Sequence, residues 1–253
     1  MAITREVSPC INQCELSFHD RQPIDLAKAI TQHEEYQRCL ESLGAEVICL
    51  PAEPDLPDAV FVEDAALVFD EVAVIPLMGA ASRRDEPRTL VPVLSRYRTI
   101  EYLREPATLD GGDVLVADHR VFVGQTKRTN RYGVEQLRDI LAPHGYSVEG
   151  IPVRDILHLK SACSYLGNNA LLVNRQFLDA VKFKPFDLID VPECEPAAAN
   201  VLLINNTVII ATSFPDTFSL LENRGLDVRA VNMAELQKAE AGVTCCSLVF
   251  SDM

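Results

Sequence analysis

Four short polar signatures carry the chemistry-bearing residues of this 253-residue chain: FVED at 61–64, LDGGD at 109–113, HLKS at 158–161 and TCCS at 244–247. They supply carboxylates, one histidine and one thiol, and they recur at a nearly regular interval. A thiol nucleophile needs a base or an electropositive setting that holds it as thiolate. Cys245 is the candidate nucleophile and His158 the candidate base, because His158 opens an apolar hairpin in the position that FVED and LDGGD occupy in theirs. The other four histidines have structural places: His19 in an N-terminal loop, His33 on a helix, His119 in a turn and His144 at a helix end. Cys246 follows Cys245 directly. In a strand, neighbouring side chains face opposite ways, so only one of the two thiols can reach a common centre.

The carboxylates point to a cation. Glu63 and Asp64 sit inside the apolar stretch Ala59 to Phe69, where burying two acids is costly unless they meet a cation or hydrogen-bond donors. Asp58 adds a third acid. Gly111-Gly112 after Asp110 permits close backbone approach; a plain turn with Asp110 or Asp113 as its cap is the structural alternative. Arg83-Arg84 and Lys127-Arg128 read either as solvated charges or as guanidinium forks for a carboxylate.

Repeated units must position these groups. Asp25 caps a helix in which Leu26, Ala29, Ile30, His33, Tyr36, Leu40 and Leu43 recur every three or four residues until Gly44. The strand Glu46 to Leu50 follows. A second helix is expected over about 85–97, a third from near Asn130 that ends at Pro143-His144-Gly145, a short fourth near 175–181 and a fifth over 216–224, each followed by a strand. Between them lie paired apolar runs joined by Asp70-Glu71, Asp118-His119, Gly167-Asn168-Asn169 and Asn205-Asn206. The last run, Val243 to Phe250, finds its partner in Ala2–Val7 and closes a ring. The unit is hairpin, helix, strand, at a spacing of roughly 40 to 50 residues, within the range of propellers and repeat arrays. The expected architecture is one α/β domain over 1–253, a five-bladed α/β propeller of ββαβ units around a central site. A plain βαβ sheet explains the helices but not the paired strands.

Composition narrows the partners. The net charge of −14 argues against nucleic acid, which needs clustered Lys and Arg, and favours a small cationic substrate. No apolar run approaches the roughly 20 residues that span a bilayer. Met1 to Pro9 lacks the apolar core of a signal peptide, so a cytoplasmic protein is expected, as monomer or homodimer. Eight cysteines without CxxC spacing fit neither a disulfide framework nor a structural zinc site, and neither metal nor cofactor is expected.

PDAVFVED at 57–64, SRR at 82–84, ATLDGGDVL at 107–115, VFVGQTKRTN at 121–130, LHLKS at 157–161, AAN at 198–200 and GVTCCS at 242–247 stand in an order that resembles the dimethylarginine dimethylaminohydrolases of the guanidino-group-modifying (pentein) superfamily. The resemblance covers nearly the whole chain. It implies a five-bladed α/β propeller that hydrolyses Nω-methylated arginines to citrulline and dimethylamine or methylamine. It also implies a covalent thiouronium intermediate. By motif, it implies Cys245 as nucleophile, His158 as general acid and base, and Asp110 as the group that orients His158. Asp64 and Glu63 would line the guanidinium pocket, Asp58 would bind the amino-acid end, and Arg83 and Arg128 the α-carboxylate. Leu16 matches a lid residue, and Ala239 would contribute through its backbone, although KAEAGVT departs from the family's hydrophobic-Asp-Gly pattern. The alternatives are an arginine deiminase that releases ammonia, an amidinotransferase, or a non-catalytic arginine-binding protein on the same scaffold.

Overall fold

The computed structural model of the chain describes residues 1–252. It contains five three-stranded sheets, each pairing its middle strand antiparallel to an inner strand and parallel to an outer one. The first unit joins Leu67–Val68, Val72–Ile75 and Thr99–Tyr102. The second joins Val114–Ala117, Arg120–Gln125 and Ser147–Pro152. The third joins Cys163–Tyr165, Ala170–Val173 and Asp187–Asp190, and the fourth Leu202–Ile204, Thr207–Ala211 and Asp227–Val231. The fifth is built from both chain ends: Leu248–Val249 pairs with Ala2–Arg5, which pairs with Val47–Leu50. The ring therefore closes where the terminal runs meet, as the sequence predicts.

The middle strands are mostly apolar because their central residues are buried on both faces. Val72 and Val74 enter the core shared with the second unit, while Ala73 and Ile75 enter the core shared with the fifth. In the same way Val121 and Val123 face the first unit and Phe122 the third; Val208 and Ile210 face the third, and Ile209 and Ala211 the fifth. Period-two alternation thus feeds five cores, each shared by two neighbouring units. The ring axis receives none of them.

Helix Leu26–Ser42 starts at Asp25, whose side chain accepts from the Lys28 N–H, and ends before Gly44 at φ +89°. Arg131–Leu141 is capped by Asn130, and Pro215–Asn223 begins on its proline. Two expected helices differ. The segment 85–97 is broken into a 3₁₀ turn, Glu86–Thr89, and one α-turn, Val91–Leu94, because Pro87 and Pro92 donate no backbone N–H and each restarts the helix. Leu90 and Leu94 still reach the core. Near 175–181 there is instead a 3₁₀ turn at Ala180–Phe183. The Asn174 side chain accepts from the Gln176 N–H and diverts the backbone, and Asp179 caps the later turn. A short helix, Ala234–Gln237, lies outside the expected set.

On the first helix, His33 is buried and its Nε2 has no hydrogen-bond partner. Burial holds its pKa down at about 4. The unfolded chain takes up this proton near pH 6.5, whereas the folded protein does so only near 4. Stability from this site is present above pH 6.5 and is lost as the pH falls toward 4, by roughly 3 kcal/mol at the full shift. Urea unfolding at pH 7 and pH 4.5 should show His33→Leu losing less stability on acidification than the wild type.

Candidate active site

The polar signatures fold into 3₁₀ turns that lead into the inner strands: Val62–Ala65, Gly111–Asp113, Leu159–Ser161 and Thr244–Cys246. The first packs against the second and the fourth, and the second against the third. Ala59–Phe69 is accordingly not a continuous strand; Glu63 and Asp64 lie in the turn. Cys245 likewise lies in a turn rather than in a strand. Three residues per 3₁₀ turn separate the neighbouring thiols by rotation, not by pleat. Cys246 is buried beside Tyr36, while Cys245 and Leu16 pack half-buried against the same apolar cluster.

Asp64 is the meeting point of the charges. It accepts from Arg83 Nη1 at 2.8 Å and from the Gly112 N–H at 2.9 Å, and its Oδ1 lies 3.7 Å from His158 Nδ1. A Cβ on Gly112 would fall 2.5 Å from His158 Nδ1, and one on Gly111 would overlap the Glu63 carbonyl. These close approaches are why the turn is Gly-Gly. On the other side of the imidazole, Nε2 meets Asp110 Oδ2 at 3.2 Å, and Asp110 Oδ1 accepts from the Gly79 N–H. Burial opposes the imidazolium, but Asp64, Asp110 and Asp113 outweigh it and raise the His158 pKa to about 9. Burial would also raise Asp64, yet His158 and Arg83 hold it at about 2. Burial, Glu63 and Asp64 push the Cys245 thiol up to about 12, against a Gly242 N–H that donates to Sγ at 3.3 Å.

The other expected residues divide. Asp58 is buried and accepts the Glu15 N–H, 3.0 Å from Oδ2. Glu63 is occupied on both oxygens, by Lys160 Nζ at 2.6 Å and by the Thr244 hydroxyl at 2.7 Å. Glu63, Lys160 and Thr244 line one end of an axial cavity of about 420 Å³ between the inner strands. Arg83 differs from its expected place as an open fork for a carboxylate. It is 4% exposed, and its donors reach Asp64, both oxygens of Glu86, and the carbonyls of Asp58 and Phe61. Arg128 has the open donor: its Nη1 lies 3.7 Å from Asp110 Oδ2 and makes no hydrogen bond. Ala239 is buried at the end of the short helix turn and directly precedes Glu240.

Residues that the motif reading left out support the turns. Asp113 accepts two hydroxyls, from Thr126 and Thr129, and the Leu159 N–H beside His158. Burial pushes it up to about 6 against the pull of His158 and those donors. Asn200 heads the fourth unit without a reactive group. Its amide donates to the Lys160 carbonyl and to the Thr244 hydroxyl, and its oxygen accepts the Thr244 N–H. Among the described residues, the group able to gather metal ligands is Asp64, Asp110 and His158, whose ligand atoms lie within 4.8 Å of one another. With the imidazole held as a cation, that trio is an ion-pair cluster.

A family model described as "N,N dimethylarginine dimethylhydrolase, eukaryotic" matches residues 2–223. The chain belongs to the dimethylarginine dimethylaminohydrolase family. It is 35% identical over 236 residues to N(G),N(G)-dimethylarginine dimethylaminohydrolase of Pseudomonas aeruginosa, covering 92% of each chain. It is 36% identical over 248 residues to that of Streptomyces coelicolor, covering 98% of this chain and 95% of the relative. The solved Pseudomonas aeruginosa structure, a Cys-to-Ser mutant complexed with citrulline, superimposes with a TM-score of 0.95 at 32% identity over 98% of both chains. The N-terminal domain of a cyanobacterial arginine dihydrolase shares the fold at 18% identity and a TM-score of 0.84. Five small sheets in a ring are thus the propeller arrangement of this family.

The two arginines should separate in stability. Arg83→Met leaves Asp64 and Glu86 without their cation and should cost about 3 to 5 kcal/mol, as breaking a buried pair does. Arg128→Ala removes a donor without a hydrogen bond and should cost less than about 1 kcal/mol. Urea unfolding of both variants beside the wild type reads the difference.

Proposed function

We propose that this chain hydrolyses Nω-methylated arginines, asymmetric dimethylarginine and monomethylarginine, to citrulline and dimethylamine or methylamine. The observation that carries the reading is an imidazolium held between Asp64 and Asp110, where the turn of Asp64 packs against the turn that bears Cys245, in a member of this family. A guanidinium carbon is a weak electrophile because its charge is spread over three nitrogens. Carboxylates that fix its plane also favour the cationic covalent adduct. Asp64 supplies that charge at the centre, with Glu63 behind it. Arg128 offers a free donor for the α-carboxylate. Arg83 serves through Asp64, as its counter-ion.

The resting centre holds a thiol and an imidazolium. A bound guanidinium opposes the carboxylates that keep the thiol protonated, so the substrate's own cation favours release of the Cys245 proton to solvent. The thiolate attacks the guanidinium carbon. The C–N bond to the methylated nitrogen breaks, and His158 gives its proton to the leaving amine. The adduct is a cationic thiouronium. Neutral His158 then takes a proton from water, whose oxygen attacks the same carbon. The C–S bond breaks, thiolate returns, and the new hydroxyl loses its proton as the ureido carbonyl of citrulline forms. The substrate's positive charge leaves on the ammonium product.

All eight cysteines are free, and no helix among the described residues is long and apolar enough to cross a membrane. We read the protein as cytoplasmic, where thiols stay reduced. The five shared cores support its acting as one domain.

Purified protein should release dimethylamine and citrulline from asymmetric dimethylarginine faster than it releases ammonia from arginine. The opposite order would make it a deiminase. Cys245→Ser should abolish turnover while Cys246→Ser retains it, and equal loss from both in folded protein would move the nucleophile. Arg128→Ala should act chiefly on KM.

The pH profile gives a separate check. The first step needs protonated His158, so kcat/KM should fall above about pH 9, the value its carboxylate neighbours impose. Asp110→Asn removes one of those neighbours and should move the alkaline limb to lower pH. An unmoved limb would separate it from His158.

A further inference from the structure

The segment that departs from the family's pattern, Ala239-Glu240-Ala241, holds a charged group, Glu240, that reaches across to the loop carrying Leu16. The Glu240 carboxylate accepts three consecutive backbone N–H groups. Ser17 donates at 3.0 Å to each oxygen, Phe18 at 2.6 Å and His19 at 2.7 Å to Oε1. The loop's other foot is tied in the first unit, where the Glu15 N–H donates to Asp58 and the Ser82 hydroxyl to the Glu15 carboxylate. Leu16 lies between the two feet, against the cluster that also holds Cys245. Phe18, 46% exposed, and Glu240 both border a cavity of about 310 Å³ that runs past Leu157, Asn200 and Gly242.

Glu240 holds this pose at a conformational cost. Its φ is +60°, a left-handed backbone that glycine or asparagine adopts far more readily than glutamate. A residue kept there needs compensation, and the amide contacts of its side chain supply it. Those amides belong to a loop whose residues 17–21 are mostly exposed, so without the carboxylate they would turn to water. The backbone of Glu240 is five residues before Cys245, on the same segment that carries Ala239. The loop over the centre and the nucleophile turn are therefore joined through one side chain.

We propose that Glu240 is a positioning residue: its carboxylate holds the 15–19 segment, and Leu16 with it, over the catalytic centre. It sets substrate affinity through the loop and touches no reacting atom. The proposal rests on the methylarginine reading for its kinetic half only. Losing the latch lowers the fraction of protein in the binding-competent pose, and the apparent affinity falls by that fraction.

The test compares wild type, Glu240→Gln and Glu240→Ala. For asymmetric dimethylarginine, KM should rise about tenfold in Glu240→Ala and less in Glu240→Gln, with kcat within about twofold of wild type. Without ligand, trypsin should cut after Arg21 several-fold faster in Glu240→Ala, and saturating citrulline should restore much of the protection. The thermal midpoint should move by less than about 3 °C. An unchanged KM with unchanged cleavage would overturn the proposal. So would a joint fall in kcat and thermal midpoint, which marks a merely structural residue. If the wild type fails to turn over dimethylarginine, the methylarginine reading falls, and the cleavage comparison still decides whether Glu240 holds the loop.

Discussion

The Asp64 carboxylate is the joint on which the centre depends. It is 3% exposed, and its partners come from separate parts of the ring: Arg83 from its own unit, the Gly112 N–H from the second and the His158 ring from the third. Taking a carboxylate out of water costs several kcal/mol unless good geometry and extra donors repay it. Here the repayment requires that three units meet at the axis. Correct closure of the ring and formation of the charged cluster are consequently one event. Arg83 is itself shared between Asp64 and Glu86, which extends the same requirement outward from the axis.

That arrangement is possible because the apolar cores lie elsewhere. Each middle strand sends alternate residues into the cores on its two sides, so hydrophobic burial is spent between the units. The axis is left to polar side chains and cavities. Glu63, Lys160 and Thr244 join three turns in one hydrogen-bonded chain at the end of the axial cavity. Asn200 bridges the third turn to the turn that bears Cys245 from the fourth unit, which has no reactive group of its own. Its contribution is geometric: it holds Thr244, and Thr244 precedes Cys245.

Much of this was legible in the sequence where local rules decide the outcome. Asp25 and Asn130 begin helices by accepting backbone N–H groups, and Gly44 ends one, because these are first-turn and last-turn effects. Ring closure by the two chain ends was legible because an apolar run without a sequence neighbour needs a distant one. The second helix was not legible as two pieces: Leu90, Val93 and Leu94 keep helical spacing across Pro92, so periodicity outvoted the missing N–H. The burial of Arg83 was not legible either. An exposed guanidinium and a buried counter-ion look identical in sequence, and the acid that claims it, Glu86, stands three residues on in the segment expected as the second helix. Asp113 stood in its signature only as an alternative turn cap and Lys160 had no role, because their partners Thr126, Thr129 and Glu63 are distant in sequence.

The charge state of the resting centre follows from the same carboxylates that make it a cation site. Burial, Glu63 and Asp64 oppose a thiolate at Cys245, while Asp64 and Asp110 favour a proton on His158. A thiol and an imidazole are often poised as thiolate and imidazolium; here His158 keeps its proton and Cys245 keeps its own as well. In the proposed reaction a guanidinium against Asp64 would supply a positive charge, whereas a neutral urea would not. Citrulline, the proposed product, brings no such charge, so with product bound the protonated thiol is favoured again. The same logic favours cationic arginines over neutral analogues of equal shape: affinity and nucleophile activation both draw on one charge, so losing it is felt twice.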